Sequence, residues 1–211
     1  STGIVQSTQI SGHAQRGLFI FDGGTTASIT NLTVANNAQE GVFLNDLSGG
    51  VTLAGVTSTA NGNSGGGTSG VLIDSADSVS ISNSSSTGSG LHGFEISSIT
   101  ALVALTNVSA QSNVGAGVLV DSATTVTVNG GTLSSNGLSG LDAVADTVEI
   151  DGGTFNTNDA AGVRIANASN VDIGGATASA NENHGVQLID IAGNVTLTRT
   201  TLENNDADNN G

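Results

Sequence analysis

Hydrophobic residues alternate with polar ones along this chain in short bursts, and the bursts recur at a nearly constant spacing. A glycine opens the most regular burst, at Gly17, Gly41, Gly70, Gly93, Gly117, Gly140, Gly162 and Gly185, with intervals of 24, 29, 23, 24, 23, 22 and 23 residues. One place beyond these glycines stand Leu18, Val42, Val71, Phe94, Val118, Leu141, Val163 and Val186. Three places beyond stand Ile20, Leu44, Ile73, Ile96, Val120, Ala143, Ile165 and Leu188, so both columns are apolar throughout. The position between them is mixed. A period of two with one apolar face predicts a strand.

A second strand follows in each repeat, with alternating pairs such as Val79 and Ile81, Val126 and Val128, and Val171 and Ile173. A third, shorter element carries Val34, Ser58, Ser86, Ala110, Leu133, Phe155, Ala178 and Leu202, whose varied sizes predict a tapered part of the core. Asn37, Asn113, Asn136, Asn158 and Asn181 each stand four places before an anchor glycine. Asn is expected in a turn there, because it tolerates left-handed backbone and bonds neighbouring peptide groups.

Three short strands every 22–24 residues cannot bury an apolar face alone. Coiling the chain into a parallel solenoid stacks like residues on like and closes one continuous core. At roughly 4.8 Å between strands, eight coils make a rod about 40 Å long. The pattern is plainest in Val118-Leu119-Val120, then Val126-Thr127-Val128-Asn129-Gly130-Gly131-Thr132, then Asn136. It resembles the right-handed parallel β-helix repeats of the pectin-lyase-like superfold. That resemblance implies an all-β, right-handed parallel β-helix of about eight coils with three short parallel sheets. The superfold includes polysaccharide lyases and hydrolases, phage tailspikes and stalks of bacterial surface proteins, and fold does not choose among them.

The whole of residues 1–211 reads as a single β-helix domain. The chain opens inside a repeat, with Val5 in the second-strand register, and closes at Gly211 where another anchor would fall. Neither end carries a polar cap, so the chain is expected to be a segment of a longer repeat protein, with end-to-end stacking of subunits as the alternative. A Gly-rich insertion at 62–69 lengthens one coil by about six residues and reads as a bulge without chemistry.

Composition narrows the functions. Eighteen acidic residues against three Arg leave a net charge of −15, which excludes a nucleic-acid binder acting through a basic surface. The absence of Cys excludes disulfides and thiolate metal sites. No apolar run approaches the roughly 20 residues of a membrane span, so no membrane insertion is expected.

Register places candidate chemistry on the outside of the coil. Glu149 and Asp151 point outward from one strand, and Asp172 stacks beside Glu149 in the next, about 5 Å away. Carboxylates so placed favour a bridging cation, and oxygen-only ligands suit Ca²⁺. Phe19, Phe43 and Leu72 stack in another outward column with Phe21 beside them, and an apolar stripe there predicts contact with a partner or a second copy. Thr33, Thr57, Ser85, Ser109, Thr132, Thr154, Thr177 and Thr201 form an outward hydroxyl column. It is similar to the faces of ice-binding solenoids, but its neighbouring column is irregular.

The catalytic signals are sparse. His92 and His184 precede anchor glycines, and the second is similar to the Gly-His-Gly segment of polygalacturonases, with Asn183 in place of the first Gly. The clustered Asp of those enzymes are missing, and four coils separate the two imidazoles by about 19 Å. Both are expected to be surface turn residues. The three Arg do not converge, and Arg164 stacks beside Asp142 as a surface ion pair. The expected function is therefore a non-enzymatic spacer or adhesive module of a secreted or cell-surface protein. Its partners would be neighbouring repeats or copies of itself. The alternatives are a module that binds or cleaves polysaccharide and an ice-binding solenoid.

Overall fold

A computed structural model describes residues 2–21, 24–63 and 67–206. The chain forms a parallel β-solenoid in which each strand pairs with its counterpart one coil away. The first face is built from strands such as Val42–Asn45, Val71–Ala76, Phe94–Ile99, Val163–Ala166 and Val186–Ile189. The second includes Thr26–Thr30, Val79–Ser82, Leu102–Thr106 and Asn170–Gly174. The third holds three-residue strands from Gln9–Ser11 to Thr132–Ser134, and single bridges continue it through Thr154, Thr177 and Thr201. The middle of the Gly-rich insertion, residues 64–66, lies outside the described residues.

Register follows the columns of the sequence. Val118 pairs with Leu141, Leu141 with Val163, and Val163 with Val186. The pleat turns these side chains inward, where Val, Ile and Leu of all three faces form one core. The third-face column is buried from Val34 to Ala178, including Ser58, Ser86 and Phe155, while Leu202 in the last described coil remains 43% exposed.

The expected three sheets become two hydrogen-bonded networks. At most first corners a residue with left-handed backbone turns the chain: Asp46, Ser75, Ser98, Asn167 and Asp190 have φ between 53° and 65°. The strands Val118–Asn129 and Leu141–Asp151 instead run straight through this corner and fuse the first two faces. Ser122 and Ala145 stand where the other coils have those left-handed residues, and neither has a positive φ, so the backbone stays extended there. The register slips between Val120 and Ala123 in the same place, which accounts for the shorter following coil.

The asparagine column differs from its expected role. The left-handed residues at the third corner are Asn36, Ala60, Ser112, Ser135, Thr157 and Ala180, each one place before a column asparagine. The following Asn37, Asn61, Asn113, Asn136, Asn158 and Asn181 are buried, with their amides inside the coil. The Asn113 amide donates to Asn136 Oδ1 at 3.0 Å, Asn136 to Asn158 at 3.1 Å, and Asn158 to Asn181 at 3.0 Å. Each amide also reaches a backbone carbonyl of the preceding coil; that of Asn136 meets Ala110 O at 3.1 Å. The Asn113 backbone N–H shares the Asn136 oxygen at 3.2 Å. Every rung thus satisfies polar groups that burial would otherwise leave unpaired.

The ladder explains the anchor glycines. A Cβ on Gly117 would lie 2.7 Å from the Gly140 carbonyl oxygen and 2.8 Å from Asn136 Nδ2. Gly93, Gly140, Gly162 and Gly185 meet equivalent amides and carbonyls. The glycine is there for lack of space, since none of these anchors has a positive φ.

Replacing Asn136 by Ala deletes one rung and strands the Asn113 N–H and amide donors. The expected loss is on the order of 3 kcal/mol, measured by urea unfolding, because buried donors without acceptors cost about 1–3 kcal/mol each. A loss under about 0.5 kcal/mol, the scale of a neutral surface substitution, would show that the rung does not support the coil.

Candidate functional site

Strand pairing brings Glu149, Asp151 and Asp172 together on the second face, where sequence register puts them. Glu149 lies between Thr127 and Asp172, and Asp151 between Asn129 and Gly174. The three carboxylates help line an open groove of about 420 Å³, with Thr127 and Asn129 at one side and Thr198 and Arg199 at the other. Gly174 is part of the reason for the hollow: it leaves no side chain between Asp151 and Thr198, its register neighbours on either side. Arg199 follows the strand Asn194–Thr198 at the second corner with a φ of 52°, which brings a cation to the rim of the acidic floor. Among the described residues no three His, Asp or Glu side chains converge as a chelating group. The groove presents carboxylates and hydroxyls in a row, with one guanidinium at its rim.

The aromatic stripe is also assembled as register predicts. Phe19 pairs with Phe43, and Phe43 with Leu72. The Phe19 and Phe43 rings stack with centroids 5.3 Å apart and 22° between their planes, and Phe21 lies 6.4 Å from Phe19. The Arg16 guanidinium sits 4.5 Å from the Phe43 centroid and 5.2 Å from that of Phe19. It also donates to Glu40 Oε2 at 2.9 Å, and only 8% of the Glu40 side chain is exposed. Sequence reading passed over this constellation. Its signal was present all the same, since Arg16 and Glu40 each stand immediately before an anchor glycine in adjacent coils.

Two further surface expectations find their places. Arg164 Nη1 donates to Asp142 Oδ1 at 2.7 Å between paired strands, a half-buried ion pair on the first face. The hydroxyl column runs in register from Thr33 through Thr57 and Thr132 to Thr154, Thr177 and Thr201. Most of its middle members are half-buried. In the neighbouring column the Asn156 N–H donates to Ser134 Oγ and the Ser179 N–H to Asn156 Oδ1, so those polar groups serve the backbone.

His92 departs from its expected place on a surface turn. It is half-buried, and its Nδ1 accepts the Ala116 N–H at 2.9 Å. That bond requires Nδ1 to be unprotonated. Desolvation by burial lowers its pKa from the ordinary 6.5, against the opposing pull of Glu95 and Asp142. His92 is therefore a structural acceptor, while His184 and His13 are exposed.

A family model described as a right handed beta helix region matches residues 56–202. No curated protein and no solved structure matches the chain.

The lowered His92 pKa has a signed consequence. The unfolded chain takes up the proton first, so the stability His92 contributes is complete above about pH 6.5. It declines as pH falls below that value, until the folded site also titrates. A His92→Asn variant retains an acceptor for Ala116 but does not titrate. Urea unfolding of the two proteins between pH 7.5 and pH 5 (roughly spanning the His range) is expected to show the wild type losing stability relative to the variant. Parallel curves would mean that His92 titrates alike in both states.

Proposed function

The chain belongs to the right-handed β-helix family, and from that premise we propose that it is a non-enzymatic, stiff spacer module of a secreted or cell-surface repeat protein. The observation that carries this reading is the rung system within the core. Backbone ladders and apolar columns connect each coil to the next along the rod, and buried asparagines add rungs in the same direction between most of them. Such a solenoid resists bending because tilting one coil opens rungs and core together. A net charge of −15 keeps the outer surface hydrated and repels other copies. The absence of Cys makes the module indifferent to redox conditions.

Pulling a single molecule by its two ends tests this role. Coils should peel away one at a time, each releasing about 23 residues and so roughly 80 Å of chain at about 3.3–3.6 Å per residue. A flexible chain that extends without repeated steps would overturn the spacer reading.

A second reading rests on the acidic groove. Carboxylates, hydroxyls and an Arg along one open channel fit the hydroxyl-rich surface of a neutral glycan, each carboxylate accepting from sugar O–H groups. In this reading Glu149, Asp151 and Asp172 would also receive a weakly held Ca²⁺. Binding to an array of neutral oligosaccharides, with and without millimolar calcium, should weaken by about tenfold in a Glu149→Gln, Asp172→Asn double variant. Equal binding by the double variant would exclude the groove.

A further inference from the structure

The stripe of Phe19, Phe43 and Leu72 faces outward because of the pleat. Leu18 and Ile20 of the same strand pack against the core, which directs Phe19 and Phe21 outward at 51% and 60% exposure. Phe43, one coil further on, points the same way and is half-buried between its neighbours. Side chains of this size left open in one contiguous patch signal a contact surface.

The charge around the stripe limits what can cover it. Arg16 lies against the rings but is already matched by the buried carboxylate of Glu40, so it offers no free positive charge. The column ends at Glu95, the register neighbour of Leu72, and Asp74 flanks Leu72 two places along its strand. Asp46 is exposed at the nearby corner. A second copy would bring another −15 chain against this acidic rim. Glu95 and Asp74 accept from the Ser69 and Ser97 hydroxyls, but an anionic or neutral partner would leave their charges unpaired as water is displaced.

We propose that the Phe19–Phe43–Leu72 stripe is a docking site for a segment of another protein that presents apolar side chains flanked by Lys or Arg. The apolar side chains cover the two rings and Leu72. The flanking cations meet Asp74 and Glu95, and the long-range field of the rod draws the segment in. This surface lies on the first face, whereas the acidic groove lies on the second, and it does not depend on the rod being a spacer.

The probe is a fluorescein-labelled peptide of sequence Lys-Lys-Phe-Leu-Lys-Lys, followed by fluorescence anisotropy with the intact chain. The controls are Lys-Lys-Ser-Ser-Lys-Lys and Glu-Glu-Phe-Leu-Glu-Glu. The first peptide should bind most tightly, and the Phe19→Ser, Phe43→Ser double variant should lose about tenfold or more of that affinity. An Asp74→Asn, Glu95→Gln variant should weaken binding and flatten its salt dependence. Both pairs of side chains point away from the core, and circular dichroism with a thermal melt verifies that each variant remains folded. The proposal is overturned if the first peptide does not bind, or if the Phe variant binds it equally, which would be diffuse attraction to an acidic rod. It is also overturned if the glutamate peptide binds as tightly. Sedimentation showing a wild-type dimer that the Phe variant abolishes would make a second copy the occupant instead.

Discussion

Anchor glycine and ladder asparagine compete for one small volume, and the rest of the structure is arranged around that constraint. The Asn136 amide can bridge two coils only because Gly117 has no Cβ to occupy the space. The left-handed residue before each asparagine then turns the chain so that the amide points inward. Once these positions are set, the following strand has its start and its inward face determined. The coils therefore turn at this third corner in the same way, and the strands that follow it stack in register.

One coil departs from the rule. Between Asn61 and Asn113 the ladder position belongs to Ser89, whose N–H donates to Asn113 Oδ1 but whose side chain is too short to act as an amide rung. The Asn61 amide keeps its bond to the Val34 carbonyl but turns its other donor to Ser58 Oγ, and Ser86 Oγ pairs with Ser89 Oγ at 3.1 Å. The third-face column is also at its most polar here, with Ser58 and Ser86 buried where other coils place Val, Ala, Leu or Phe. Gly70 packs directly against these hydroxyls. The preceding coil carries the Gly-rich insertion, so a change in loop length lies next to a change from amide to hydroxyl in the core.

Outside the coil the logic reverses. Outward positions do not have to match their neighbours to close the core, and they vary from coil to coil. The first face passes from Phe43 and Leu72 through Glu95 to the Asp142–Arg164 ion pair. The second passes from hydroxyls to the carboxylates around Gly174. A uniform interior thus carries a surface whose chemistry differs by position, and the candidate functions sit on that surface.

The columns of alternating apolar residues were sufficient, by themselves, to establish the parallel solenoid, its coil count and its register. A side chain repeated at a fixed interval can meet its own counterpart only when the chain coils at that interval. The same arithmetic put Glu149 beside Asp172, Asp142 beside Arg164 and Phe19 beside Phe43, because parallel pairing preserves sequence offset. Only the tertiary structure decided which way the asparagines face, since one residue of left-handed backbone at Ser135 turns Asn136 from a surface turn into a buried rung. It likewise decided that His92 accepts from Ala116 and that Arg16 lies over two rings while bonded to Glu40. Those outcomes depend on corner geometry and on how far a side chain reaches across coils. An apolar–polar pattern records the face a residue occupies, but not the direction of its polar atoms.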